Sequence, residues 1–158
     1  NFYCNVAPLC TYNIWVDPEA AKIIYNSGVP IISVGTDVNM ISSVFTDADY
    51  DAVQKLGTAY SDFFMKINKV RRVYCKERQK MAGSNHPDAL AVALLIDPTI
   101  SRENIRRFVD IETKGELTKG AMLIDELEVY HKPPNATICI KADEAKFKKL
   151  VFNTLKRK

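Results

Sequence analysis

The most constraining feature of the sequence is a helix signal that is followed at once by a strand signal. Asp17 and Pro18 are residue types that begin helices, and apolar residues continue from there to Tyr25. After the turn at 28–30, the apolar run at 31–35 is typical of a short, mostly buried strand. Because a helix and a buried strand so close together must share a core, this alternation predicts a layered α/β fold.

The rest of the chain continues the alternation. Helices are predicted at 47–56, with Asp47 as the cap, at 58–81, at 88–96 and from Asp143 onward; strands are predicted at 108–113, 121–124 and 137–141. In the helix at 58–81, apolar residues recur at helical spacing and predict a core-facing stripe: Phe63, Ile67, Val70 and Tyr74.

Composition excludes several classes of protein. Hydrophobic residues make up 47% and charged residues 26% of the 158 residues, which argues against a disordered or fibrous chain. The net charge of +3 is small, so the basic residues between Lys66 and Lys80 are interpreted as a solvated helix face and not as a nucleic-acid site. No apolar run reaches the roughly 18 residues of a membrane span. We therefore expect neither a nucleic-acid partner nor a membrane.

The cysteines indicate no metal framework. The four cysteines contain no Cys-x-x-Cys pair, and neither histidine is near one of them in sequence. A zinc site would require closely spaced ligands. A chain of this size folds without disulfides, so we expect reduced thiols and a cytoplasmic protein.

Two polar segments, at 5–21 and 85–98, go beyond architecture. Each places polar side chains directly before an apolar helix, where α/β folds keep their ligand sites. In the first segment, Val16-Asp17-Pro18-Glu19-Ala20-Ala21 follows three candidate polar residues, Asn5, Thr11 and Asn13. In the second, Asn85-His86-Pro87-Asp88 precedes a small apolar helix that ends at Asp97-Pro98.

These segments resemble the inosine-uridine-preferring nucleoside hydrolases. Further matches keep their order along nearly the whole chain: Gly28-Val29-Pro30, Val34-Gly35-Thr36-Asp37, Val109-Asp110-Ile111-Glu112-Thr113, Gly115-Glu116-Leu117-Thr118-Lys119-Gly120 and Lys132-Pro133-Pro134-Asn135-Ala136. The resemblance implies an open, mostly parallel sheet flanked by helices. It also implies an enzyme that hydrolyses the N-glycosidic bond of ribonucleosides, releasing base and ribose, by way of a water held by calcium.

The same resemblance implies that the chain is incomplete as a catalyst. Family members are roughly twice as long, and their Asp-rich N-terminal motif supplies most calcium ligands and the base. That motif is absent from these residues, so 1–158 is interpreted as the C-terminal part of a single nucleoside hydrolase domain. We expect this chain alone to be inactive. Its partners would be a ribonucleoside, the missing N-terminal half and further copies in a homodimer or homotetramer.

Three residues match binding positions of the family. Asp88 matches a late metal-binding aspartate, with a plain helix cap as the alternative. Asn13 matches the asparagine that hydrogen-bonds ribose hydroxyls, and Asn5 matches the one nearer the 5′-hydroxyl. The alternative for both is a loop asparagine that bonds its own backbone.

Two residues depart from the family pattern. Thr11 stands where the family usually has glutamate, which removes a strong acceptor for a sugar hydroxyl. His86 is a candidate acid for the leaving base, although Pro87 separates it from Asp88; a histidine without a catalytic role is the alternative. These departures motivate a second hypothesis, a catalytically impaired nucleoside-binding or structural homologue of the same fold.

Overall fold

The structure is a computed structural model that describes residues 6–157. These residues form two compact units: the first contains 6–36 and 103–140, and the second contains 37–102 and 141–157. In chain order the elements are α1 (Tyr12–Val16), α2 (Pro18–Tyr25), β1 (Ile32–Val34), α3 (Thr36–Ser42), β2 (Val44–Thr46), α4 (Asp47–Gln54), α5 (Ala59–Glu77), β3 (Gly83–Asn85), α6 (Pro87–Ile96), a 3₁₀ turn (Pro98–Ile100), β4 (Ser101–Arg107), β5 (Val109–Ile111), β6 (Met122–Ile124), β7 (Ala136–Ala142) and α7 (Glu144–Leu155). The mixed α/β class is confirmed. That 1–158 is part of one domain stays a prediction.

Helix starts follow local chemistry. Asp17 caps α2 by accepting a hydrogen bond from the Ala20 N–H at 2.9 Å, as predicted. The predicted cap of α4 is wrong, because Thr46 occupies that position. Thr46 and Asp49 form a reciprocal capping box, with the Thr46 N–H donating to the Asp49 carboxylate at 2.8 Å. Asp47 lies in the first turn instead and pairs with Arg72 and Lys76 of α5.

The first unit is built on β strands. β1, β7 and β4 form one sheet in that order, with β1 parallel to β7 and Ser33 opposite Ile138. β5 and β6 pair antiparallel, which confirms the predicted strand pair. Val109, Ala136 and Ile138 are buried between these strands and α2, where Tyr25 packs against them. The described strands thus form small sheets with both parallel and antiparallel pairs. β5–β6 and, in the second unit, β2–β3 are each separate two-stranded antiparallel sheets.

The second unit has an aromatic core around Phe45 of β2. Phe45 is fully buried, and its ring centroid lies 5.0–6.1 Å from those of five other rings. These rings belong to Tyr50, Phe64, His86, Phe147 and Phe152. The core therefore joins β2 to α4, α5, α7 and the start of α6.

The predicted core stripe of α5 is wrong. Its four members are all exposed: Phe63 by 62%, Ile67 by 57%, Val70 by 79% and Tyr74 by 48%. The face that packs on the unit carries Ser61, Asn68, Cys75 and the half-buried Phe64 instead. Small and polar residues on that face allow α5 to approach β3 closely. Contact with the neighbouring elements therefore determines which face of α5 is buried, and the widest apolar stripe does not.

Two further observations concern expectations from composition. In the part of the chain that the structure describes, no helix is both long enough and apolar enough to cross a membrane. The cysteines at positions 10, 75 and 139 are buried, and no disulfide joins any of the three to another.

Candidate functional site

The predicted site residues fall into two groups. Thr11 and Asn13 lie at the start of α1 in the first unit, whereas His86 and Asp88 lie at the start of α6 in the second unit. Asn5 lies outside the described residues. The structure therefore brings together the members of each pair.

The α1 pair lies on a short helix that a glycine holds in place. Thr11 is the N-cap residue of α1, yet its hydroxyl makes no cap hydrogen bond. Asn13 is exposed on the same helix. Gly120 has φ +83°, and a Cβ added to it would lie only 3.0 Å from Trp15 Cα. The loop that ends at Gly120 thus packs against the helix backbone, and the Asn13 amide is left accessible to a ligand.

Asp88 has a carboxylate with no structural role in the described residues. It is the second residue of α6, after Pro87, and is exposed. Its carboxylate makes no hydrogen bond or ion pair within 6–157. The N-cap position belongs to His86, so the helix-cap alternative for Asp88 is wrong. A free carboxylate at a helix N-terminus is stabilised by the helix dipole and is available as an oxygen ligand.

The described residues do not form a complete calcium site by themselves. Calcium takes about six to eight oxygen ligands, mostly from carboxylates, carbonyls and water. Across residues 6–157, no three His, Cys, Asp or Glu side chains come close enough to hold a metal ion. Asp88 fits such an ion by its chemistry and exposure, but the donor set here is incomplete.

His86 lies in the aromatic core and not in an open cleft. Its side chain is 8% exposed and packs against the rings of Phe45 and Phe64. Its Nε2 atom lies 3.0 Å from the hydroxyl of Tyr50. Burial, with a smaller contribution from the Arg71 guanidinium, lowers the pKa of His86 to about 4. The imidazole is therefore neutral near pH 7, which favours the structural alternative over the proton donor.

No local sequence pattern indicates which residues hold the segment around His86. The sequence predicts a solvated helix face for Arg71, but its Nε donates to the Asn85 carbonyl at 2.6 Å and its Nη2 donates to Asn85 Oδ1 at 2.7 Å. The Arg72 guanidinium stacks over the Tyr50 ring at 4.0 Å. These contacts join residues distant in sequence, so no local pattern predicts them.

Comparison with known proteins identifies the class. The family model of the inosine-uridine preferring nucleoside hydrolases matches residues 2–149. The chain therefore belongs to that family, which confirms the resemblance seen in the sequence.

Curated relatives and solved structures agree with this assignment. The chain is 31% identical to a pyrimidine-specific ribonucleoside hydrolase of Salmonella schwarzengrund and 30% identical to one of Escherichia coli, each over 96% of this chain and 49% of the relative. A purine-preferring ribonucleoside hydrolase from Gardnerella vaginalis superposes with a TM-score of 0.82 at 22% identity, over 99% of this chain and 50% of that one. A plant nucleoside hydrolase gives 0.86 at 21%, over 98% and 50%. The chain thus spans about half the length of the relatives it matches.

Proposed function

We propose that this chain is the C-terminal part of a calcium-dependent ribonucleoside hydrolase that cleaves the N-glycosidic bond to give free base and ribose. The family membership supports this proposal. The observation that carries it is the carboxylate of Asp88 at the start of α6, which is exposed and has no hydrogen bond or ion pair with any residue in 6–157. By the full-length protein we mean the proposed polypeptide that contains this chain together with the N-terminal half of the fold.

Each candidate residue has a distinct role in the proposal. Asp88 contributes one oxygen ligand, and the N-terminal half contributes most of the other ligands and the catalytic base. Bound calcium would lower the pKa of a water and hold it for attack on the sugar. Asn13 and Asn5 hydrogen-bond ribose hydroxyls. Such contacts matter because glycosidic cleavage passes through an oxocarbenium-like state, in which hydrogen bonds to the sugar strengthen.

We assign His86 a structural role and propose no proton transfer through it. Its burial and its contact with Tyr50 support that assignment. The group that protonates the leaving base would then be another one, contributed by the N-terminal half.

We further propose a homodimer or homotetramer as the working form.

The proposal is tested by an assay of reducing sugar released by the full-length protein. Uridine serves as the pyrimidine probe and inosine as the purine probe. We expect calcium-dependent release of ribose from at least one of them and loss of the activity with a chelator. Release that is indifferent to the chelator would contradict the role of calcium.

Thr11 favours a second candidate, a nucleoside-binding homologue with impaired catalysis. A threonine hydroxyl is a weaker acceptor than a carboxylate, so the sugar would be held less firmly. The two candidates differ in the N-terminal half: an intact Asp cluster there indicates the hydrolase, and its loss indicates the binding protein. Nucleoside binding without release of ribose would likewise indicate the second candidate.

Substitution Thr11→Glu tests the contribution of this position. A carboxylate next to the 5′-hydroxyl adds a charge-assisted hydrogen bond, which contributes about 1.5–3 kcal/mol. We expect the full-length variant to bind ribosides at least about tenfold more tightly relative to 5′-deoxyribosides. Thr154→Glu, at an exposed site in α7, is the control. An unchanged ratio in Thr11→Glu would show that position 11 does not contact the 5′-hydroxyl.

A further inference from the structure

The strand that leads into α6 is polar although it is completely buried. β3 consists of Gly83, Ser84 and Asn85, and all three are buried. A Cβ added to Gly83 would lie 2.2 Å from the Phe45 carbonyl oxygen of β2, so the two strands approach too closely for a larger residue. Glycine and asparagine are depleted in strands, and this strand buries no apolar side chain. Hydrophobic burial therefore does not explain why it is held in the core.

A hydrogen-bonded triad anchors the end of this strand to α4. The hydroxyl of Tyr50 lies 2.6 Å from Ser84 Oγ and 3.0 Å from His86 Nε2. Because a hydroxyl donates one hydrogen bond and accepts others, it can serve both partners at once. Tyr50 and Ser84 are each 1% exposed, so neither has water as an alternative partner. We call these three residues the Tyr50 triad.

The backbone around the triad is anchored as well. The His86 N–H donates to the Ser43 carbonyl at 3.1 Å and to Ser43 Oγ at 3.0 Å. Arg71 of α5 binds both the carbonyl and the side-chain oxygen of Asn85. Each of the three residues at 84–86 is thus tied to a different part of the second unit: α4, α5 and the segment before β2.

This anchoring determines where α6 begins. The His86 carbonyl accepts the first hydrogen bond of the helix, from the Leu90 N–H at 3.0 Å. Asp88 follows His86 by two residues, with Pro87 restricting the backbone between them. Any shift of His86 therefore moves the first turn of α6 and the Asp88 carboxylate with it.

We propose that the Tyr50 triad positions the Asp88 carboxylate, so that Tyr50, Ser84 and His86 are positioning residues for metal binding. The inference rests on the proposed role of Asp88 as a calcium ligand. A ligand must be held within about 0.5 Å of its productive position, and residues whose own side chains are locked by packing and hydrogen bonds provide that accuracy. A buried polar network whose hydrogen bonds are all satisfied specifies one arrangement of its side chains. Apolar replacements would stabilise the core without fixing the position of the first turn of α6.

Removing the Tyr50 hydroxyl tests the triad. In full-length Tyr50→Phe, we expect the calcium dissociation constant, measured by titration calorimetry, to rise about tenfold, as is typical when a group supporting a metal ligand is lost. The control is Leu155→Ala, a buried substitution in α7 of the same unit that lowers stability without touching the triad. We expect this control to bind calcium as the wild type does.

A pair of substitutions at His86 separates positioning from packing. In His86→Gln, the side-chain amide offers a polar atom near the place of Nε2, and we expect it to restore most of the calcium affinity. His86→Leu fills a similar volume without that atom, and we expect it to weaken calcium binding as Tyr50→Phe does. This pair also carries the test if Tyr50→Phe does not fold.

The outcomes distinguish the positioning role of the Tyr50 triad from the proposed role of Asp88 as a calcium ligand. If Tyr50→Phe weakens calcium binding no more than Leu155→Ala, or if His86→Gln and His86→Leu bind calcium equally, the positioning role is overturned. If Asp88→Ala binds calcium as tightly as the wild type, the proposed metal role of Asp88 fails, and the positioning role fails with it.

Discussion

Replacing Asp88 by alanine in the full-length protein is expected to weaken calcium binding and to lower kcat/KM for ribosides by more than about 100-fold. The size follows from its proposed place, since losing even a group that supports a metal ligand costs about 10- to 100-fold. Its carboxylate makes no contact in the described residues that would account for such a loss structurally. Without it, the helix loses only a favourable dipole interaction of about 0.3–1 kcal/mol.

The control for this substitution is Asp51→Ala. Asp51 is an exposed aspartate in α4, also without a side-chain hydrogen bond or ion pair among the described residues. We expect it to leave calcium affinity, measured by titration calorimetry, and kcat/KM unchanged. Wild-type turnover in Asp88→Ala would remove Asp88 from the metal site.

Replacing Phe45 by alanine is expected to lower the free energy of unfolding of the 158-residue chain by about 3–5 kcal/mol, as for other buried phenylalanines. Phe45 is fully buried and lies against five rings, so its loss leaves a cavity that several elements line. Aromatic pairs also add about 0.5–1.5 kcal/mol each beyond their buried area. Chemical denaturation followed by circular dichroism measures the change.

Phe63→Ala is the matched control for the aromatic core. Phe63 is the same residue type but is 62% exposed on α5, so we expect a change within about 0.5 kcal/mol. Equal losses from the two substitutions would contradict the assignment of the core to Phe45. Such a result would indicate that the predicted stripe of α5 is buried after all.

Local chemistry explains which parts of the fold the sequence predicted. Asp17 and Asp143 cap their helices through hydrogen bonds to residues three positions on, so the signal lies in a few adjacent letters. The sequence predicts the pair β5–β6 for the same reason. Its two strands have extended patterns of residues and are joined by a single loop. Apolar periodicity indicates no chemistry. The roles of Asp88 and Asn13 are instead implied by the resemblance of the motifs to the family.

Several of the missed features depend on partners distant in sequence. The sequence predicts no strand at β3, because Gly83-Ser84-Asn85 has the composition of a turn and forms a strand only through its pairing with β2. The stripe of α5 was predicted to face the core, because spacing identifies an apolar face but not the neighbour that covers it. Likewise, the sequence leaves open whether His86 is a candidate acid or a histidine without a catalytic role, and its burial beside Tyr50 favours the second.

The most direct test of the account is the release of ribose from uridine and inosine by the purified 158-residue chain in the presence of calcium, with the full-length protein assayed alongside. We expect no release above the buffer control from the chain and chelator-sensitive release from the full-length protein. Turnover by the chain alone that disappears with the chelator would contradict the claim that this half supplies only part of the metal site.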